Sequence, residues 1–237
     1  MITANVSQIV ERASAELGLS SPEVGFGAAD QLGIQATALI NSLGENLMAA
    51  YDWQTLEKVA TIVGDGTSDS FPMPADFGRV VNQTLWSIND RLPVAGPMTP
   101  QQWGWVKYGI VADDILYRYR IIDDKLVIFP APGLGEEFKF FYISKNWVRA
   151  NGSATPNADA VVNWADIPQF PRSIMIKGLK VLLWGQKGFD TTQLVDDYNK
   201  ELSAYMAQNQ GAPVINLSST SDLFLLDARR NTPDGSW

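Results

Sequence analysis

Apolar residues recur at helical spacing toward both ends of the chain and at strand spacing in its middle. Val6, Ile9, Val10, Ala13 and Leu17 fall three or four residues apart, which predicts a helix over 5–17 that Gly18, Ser20, Ser21 and Pro22 end. From Ala28 the period resumes. Leu32, Ala36, Leu39, Ile40, Leu43, Leu47, Ala50 and Tyr51 share one face of a second helix of about five or six turns. Gly33 and Gly44 each weaken such a helix by about 1 kcal/mol relative to Ala, so packing must supply the rest. After Asp52-Trp53 the period changes. Val59–Val63 is β-prone and stops at Gly64-Asp65-Gly66, a turn signal. Phe71-Pro72-Met73-Pro74 is held extended, because a residue before proline is pushed out of the helical region. Arg79–Ile88 reads as one strand closed by Asn89-Asp90. Thr99-Pro100 reads as an N-cap and first-turn proline opening a short helix through Trp103 and Trp105.

The stretch from Tyr117 to Tyr142 is the most β-like of all. Two apolar runs flank Asp123-Asp124 and a third follows the Pro130–Gly135 break, which predicts a hairpin with a third strand. Residues 150–171 read as a connector. Helix returns at Arg172 with Met175, Leu179, Leu182 and Leu183 aligned. Gly188-Phe189-Asp190 breaks it. Asp190 or Thr191 can cap a last helix that buries Leu194, Val195, Tyr198, Leu202, Tyr205 and Met206 before Gly211-Ala212-Pro213 stops it. The expectation is an α+β fold: a helical body built from N-terminal and C-terminal helix pairs, with an inserted antiparallel β-rich domain and an extended C-terminal arm. The segments are 1–53, 54–150, 151–211 and 212–237.

Composition narrows the function. Apolar residues form 46% of the 237, normal for a globular chain, so global disorder is not expected. With neither Cys nor His, disulfides, thiolate ligands, imidazole ligands and the usual general base are all missing. A formal charge of −8 opposes any general affinity for phosphate backbones. No basic-then-apolar signal segment opens the chain, and no apolar run approaches the ~20 residues of a membrane span. The reading is a soluble acidic protein of a reducing compartment. Eight Trp are many for this length, and surplus aromatics suit protein interfaces.

The candidate chemistry is thin. Asp113-Asp114, Asp123-Asp124, Glu136-Glu137 and Asp196-Asp197 are carboxylate pairs, but neighbours on a strand point to opposite faces and Asp is at home in a turn. None has the alternating oxygen spacing of a calcium loop. Gly133-Leu134-Gly135 follows a proline-rich bend and opens no helix, unlike a phosphate loop. No catalytic residue, cofactor or metal site is expected. Trp103 and Trp105 have a bland role, covering a small core or interface, and a sharper one, stacking on a sugar or base. In the tail, Leu223-Phe224-Leu225-Leu226 is a run of four large apolar residues that needs cover. It packs back on its own subunit as a strand or loop, docks on a neighbouring chain as an arm, or stays a solvated tail.

Three stretches carry a resemblance. One is the helix pair leaving through Tyr51-Asp52-Trp53. Another is Phe71-Pro72-Met73-Pro74-Ala75-Asp76-Phe77, similar to a Leu-Pro-x-Asp-Phe turn with Met73 in the leucine position. The third is the hairpin ending Leu126-Val127-Ile128-Phe129-Pro130-Ala131-Pro132, followed by an aromatic strand through Tyr142. In that order the chain resembles the head-to-tail adaptors (neck or tail accessory proteins) of tailed bacteriophages, particularly short-tailed ones. The resemblance implies a virion protein assembled in the bacterial host cytoplasm. It would form a homo-oligomeric ring, usually a dodecamer, beneath the portal protein, continuing the DNA ejection channel without specific DNA binding and receiving tail, nozzle or fibre proteins. Leu223, Phe224, Leu225, Leu226, Arg229, Arg230 and Trp237 would form the arm that grips portal or neighbour. The alternative is a carbohydrate-binding or glycan-cleaving virion or tail protein using the Trp-rich β region. Another tail-ring component, such as a nozzle or tail-terminator protein, is a third reading.

Overall fold

The computed structural model describes residues 3–19, 31–108 and 116–209. It is a mixed helix-and-sheet fold, as the α+β expectation holds. Helices α1 (Val6–Glu16) and α2 (Gln31–Ala50) lead into a single 3-10 turn at Gln54–Leu56. Strands β1 (Glu57–Asp65), β2 (Ser70–Pro72), β3 (Phe77–Val80), β4 (Trp86–Ser87) and β5 (Leu92–Pro93) precede α3 (Pro100–Tyr108). Then come β6 (Arg118–Ile122), β7 (Lys125–Phe129), β8 (Leu134–Ser144), β9 (Val148–Arg149) and β10 (Ile167–Pro168), and finally α4 (Arg172–Gln186) and α5 (Thr192–Asn209).

Local chemistry explains the boundaries. Asn5 caps α1, its Oδ1 accepting from the Gln8 N–H at 3.0 Å. At α3, Thr99 and Gln102 form a reciprocal capping box. Thr99 Oγ1 accepts from the Gln102 N–H (3.3 Å), and Gln102 Oε1 accepts from the Thr99 N–H (3.0 Å), with Pro100 at the first helical position. The hairpin turn Asp123-Asp124 has φ of 49° and 54°, the paired positive values that a two-residue turn between twisted strands requires.

The long strand β8 organises the larger sheet. β1 runs antiparallel along one side of it, from Glu57 opposite Ile143 to Asp65 opposite Leu134. Its other side is shared, with β3 beside Tyr142–Ser144 and β4 beside Phe138–Lys139. A second sheet has the order β2-β7-β6. One core lies between the sheets, built on Ala60, Ile62, Phe71, Leu85, Tyr119, Leu126, Ile128, Phe138, Phe140 and Tyr142. A second core lies among the helices, and Ile143, Trp147, Val148, Trp164 and Phe170 reach into it from outside them.

Four expectations need correction. Arg79–Ile88 is not one strand: Gln83 sits at φ 63°, turning the chain between β3 and β4. The third strand does not join the hairpin, because β8 pairs with β1, β3 and β4, while β2 supplies the hairpin's third member. The stripe on α5 is only half-buried, since α5 lies outermost and packs on α4. On α2, Ala50 is exposed and Tyr51 lies beyond the helix end.

The 150–171 connector is also more ordered than its composition suggests. Asp166, buried, accepts from the N–H groups of Asn151 (2.9 Å), Val162 (3.0 Å) and Asn163 (2.7 Å), so one carboxylate satisfies three backbone donors. Asn41 of α2 clamps the Val161 backbone both ways, accepting its N–H at 2.8 Å and donating to its carbonyl at 3.2 Å.

Candidate interaction surfaces

Trp53 is fully buried, its Nε1 donating to the Leu47 carbonyl at 2.6 Å while its ring packs against Tyr51, Phe170 and Tyr205. Beside it, the Arg79 guanidinium holds the end of α2. It donates to the carbonyls of Met48 (2.7 Å) and Tyr51 (2.6 Å) and to Asp52 Oδ1 (2.6 Å). A cation fits there, because the last carbonyls of a helix carry its negative pole.

Asp76, in the Pro-rich turn, ties three elements together. It accepts from Lys58 Nζ of β1 (2.6 Å), and from Tyr142 Oη (2.9 Å) and Ser144 Oγ (2.8 Å) of β8. Burial by itself would raise its pKa. The hydrogen bonds from Lys58, Ser144 and Tyr142, with the Lys58 charge, outweigh burial and hold the carboxyl down at about 2. Tyr142 moves the other way, pushed up to about 12 by burial and by donating to that carboxylate. This is a structural hub. Its low pKa and its satisfied hydrogen bonds keep it ionised and occupied, unsuited to moving protons near neutrality.

Among the described residues the carboxylate pairs do not assemble into a site. Asp123-Asp124 occupies the hairpin turn, Asp196-Asp197 lies exposed on α5, and Asp113-Asp114 falls outside the described residues. Glu136 accepts from the Tyr117 hydroxyl and from the Gly133 N–H, whereas Glu137 pairs with Lys139 at 2.9 Å. Among the described residues no group of three or more acidic side chains is placed to hold a metal ion, and no helix is long and apolar enough to cross a membrane.

Among the described residues, two surfaces with exposed apolar side chains stand out. On α3, Trp103 is buried and cannot stack on anything, while Trp105 and Tyr108 stand 66% and 83% exposed. They edge an open groove of about 640 Å³ with Met98, Gln101, Gln102 and Arg118. The 3.6-residue period already separates Trp103 from Trp105, since residues two apart on a helix face different ways. The second surface is the outward face of the large sheet, where Val59 opposes Phe141 and Val63 lies four residues further along β1, with Thr61 between them. The face is open along Glu137, Lys139 and Phe141 and closes at Ile143, which enters the helical core. Simple alternation in β1 and β8 carried this signal. Sequence reasoning passed over it because Phe138–Tyr142 reads as a continuous aromatic run.

The arm residues Leu223, Phe224, Leu225, Leu226, Arg229, Arg230 and Trp237 lie outside the described residues. Compared with known proteins, the chain matches no family model and no curated protein.

Proposed function

We propose that this chain is a structural adaptor whose copies close a homo-oligomeric ring, a dodecamer by the resemblance, between a phage portal and its tail. The ring would continue the channel through which DNA leaves. One observation carries the reading: two large aromatics, Trp105 and Tyr108, project beside an apolar groove from a helix that Trp103 and Val106 anchor to the body. A rigid aromatic pair of this kind suits insertion into a neighbour at low entropy cost. Ring closure needs two different faces on each subunit, and exposed Ile34 on α2 and Val162 in the connector offer apolar positions on the helical body. The formal charge of −8 suits a channel wall to which DNA must not adhere. The arm, through Leu223–Leu226, Arg229, Arg230 and Trp237, would grip the portal, and the β-rich part would meet tail, nozzle or fibre proteins.

Native mass spectrometry of the full chain, alone and with a portal ring, tests this directly. A closed oligomer in either condition is the expected result, and a monomer in both sinks the proposal. The same groove supports a second reading, glycan binding, because Gln101 and Gln102 add amide groups next to the exposed indole. Trp105→Ala separates the two. Loss of oligomer with no signal on a glycan array favours the adaptor, and loss of a sugar signal with assembly intact favours the glycan protein.

A further inference from the structure

We propose that the free edge of β1, with the apolar shelf beside it, is the docking site for Leu223–Leu226 of the same chain, added as a strand antiparallel to β1. Among the described residues β1 pairs with β8 alone, so its far edge presents unused N–H and C=O groups. Between Val59 and Gly64 it has neither proline nor charge, the usual guards of an exposed edge. The inner face next to that edge is apolar, and the outer face carries two valines on either side of Thr61. Ala60 and Ile62 lie at the rim of the inter-sheet core, and Val59 and Val63 stand 54% and 57% exposed on the outer side. A strand placed there meets apolar neighbours on each of its faces, so it needs apolar residues at consecutive positions. Leu223-Phe224-Leu225-Leu226 supplies them.

The exit point of the chain brings the segment to this place. Gln54, which opens the turn immediately before β1, donates through Nε2 to the carbonyl of Asn209 at 2.8 Å. The remaining residues therefore start at the foot of β1. β1 is about 27 Å long, and residues 210–222 can span up to about 43 Å, enough to run out along the strand and turn back.

Charge selects the register. With Leu225 opposite Thr61, Leu223 opposes Val63 and lies outward, Phe224 and Leu226 join Ile62 and Ala60 at the core rim, and Arg229 meets Glu57. A slip of two residues one way sets Asp227 against Glu57, a like-charge pair. The opposite slip sets Leu223 against Asp65. A slip of one exchanges the faces. The inference concerns the isolated subunit and does not rest on the ring reading; an arm that grips a portal must first leave β1.

Because the chain has no Cys, an introduced pair reports only on itself. Full-length Thr61→Cys/Leu225→Cys, oxidised mildly at high dilution, should give a disulfide within one molecule in about half of the chains or more, since directly opposed strand positions bring their Cβ atoms within bridging range. Thr61→Cys/Phe224→Cys, with side chains on opposite faces, should link in under about a tenth. No linkage, equal linkage in both pairs, or linkage only between molecules overturns the proposal. Hydrogen exchange gives an independent reading without cysteines. In Leu223→Asp/Leu225→Asp, amides of Val59–Val63 should exchange roughly tenfold faster while those of Phe138–Tyr142 hold. Unchanged β1 exchange also overturns it. Failure of the ring reading would appear instead in the native mass, so the two ideas fall separately.

Discussion

Gly44→Ala tests the packing of α2 on the loop after β8. On an isolated helix the change would help, because Ala exceeds Gly in helix propensity by about 1 kcal/mol. Here a Cβ at position 44 would strike the Trp147 indole, whose three nearest atoms all lie within 2.7 Å of it. Carbon atoms rest at about 3.5–4.0 Å, so the ring would have to retreat by roughly 1 Å. Trp147 has little freedom to do so, being 1% exposed and stacked on Phe170 at 5.6 Å between ring centres. Overpacking of this sort costs about 1–3 kcal/mol and sometimes more. With the propensity gain subtracted, the expected result is a net loss of up to about 2 kcal/mol, read as a lower urea midpoint with an unchanged slope. Gly104→Ala in α3 is the matched control. Its Cβ would meet nothing within 4 Å, so propensity alone should act and stabilise by about 0.5–1 kcal/mol. In a double-mutant cycle, Trp147→Leu should relieve part of the Gly44→Ala cost, with a coupling of about 1 kcal/mol. Gly44→Ala equal to the parent or more stable would refute the reasoning.

The acid limb of stability should depend on Asp76. Its folded pKa of about 2 lies below the ordinary 3.8, so its contribution is full above about pH 4 and is lost as pH falls through about 2. Asp76→Asn should therefore cost about 1–2 kcal/mol at neutrality, allowing for a half-exposed Lys58, and converge with the parent near pH 2 in urea titrations. Arg79→Ala strips donors from the end of α2 and should cost about 1–3 kcal/mol, with Arg79→Lys recovering less than half because an ammonium cannot reach all three oxygens. A parent-like urea midpoint for Arg79→Ala would contradict that. Tyr119 and Tyr142, both pushed up to about 12 and chiefly by burial, should remain protonated at about pH 11 in an ultraviolet titration, and Tyr119→Phe should remove one late-titrating group.

What could be read from the chain was whatever local chemistry determines. The stripes of α1, α2 and α4 follow from a 3.6-residue period, the Thr99-Pro100 start from capping, and the Asp123-Asp124 turn from its tolerance of positive φ. Strand partners were another matter. A β-prone run announces its own alternation but not its neighbour, so the departure of β8 from the hairpin toward β1 has no local sign. Gly44 misled for a related reason: its propensity cost is local, whereas its use, admitting an indole 103 positions later, is not. Roles for Arg79 and Asp76 were not legible either, because their partners come from other elements. The outermost position of α5 was hidden too, since a half-buried stripe and a buried one have the same period.

β8 contributes to both cores of the described residues. Phe138, Phe140 and Tyr142 fill the inter-sheet core from one face of the strand, while Ile143, on the other face, enters the helical core with Trp147 and Val148 just beyond. Asp76, in the turn before β3, and Arg79, in β3, fasten the same junction to β1, β8 and the end of α2. Rotation of the sheets against the helices would break several of these contacts at once, and packed interiors resist such deformation. A subunit so built holds its sheets and helices together with little give. That stiffness is what the adaptor reading requires of a ring held between two larger assemblies, whereas a glycan-binding module has no comparable need for it.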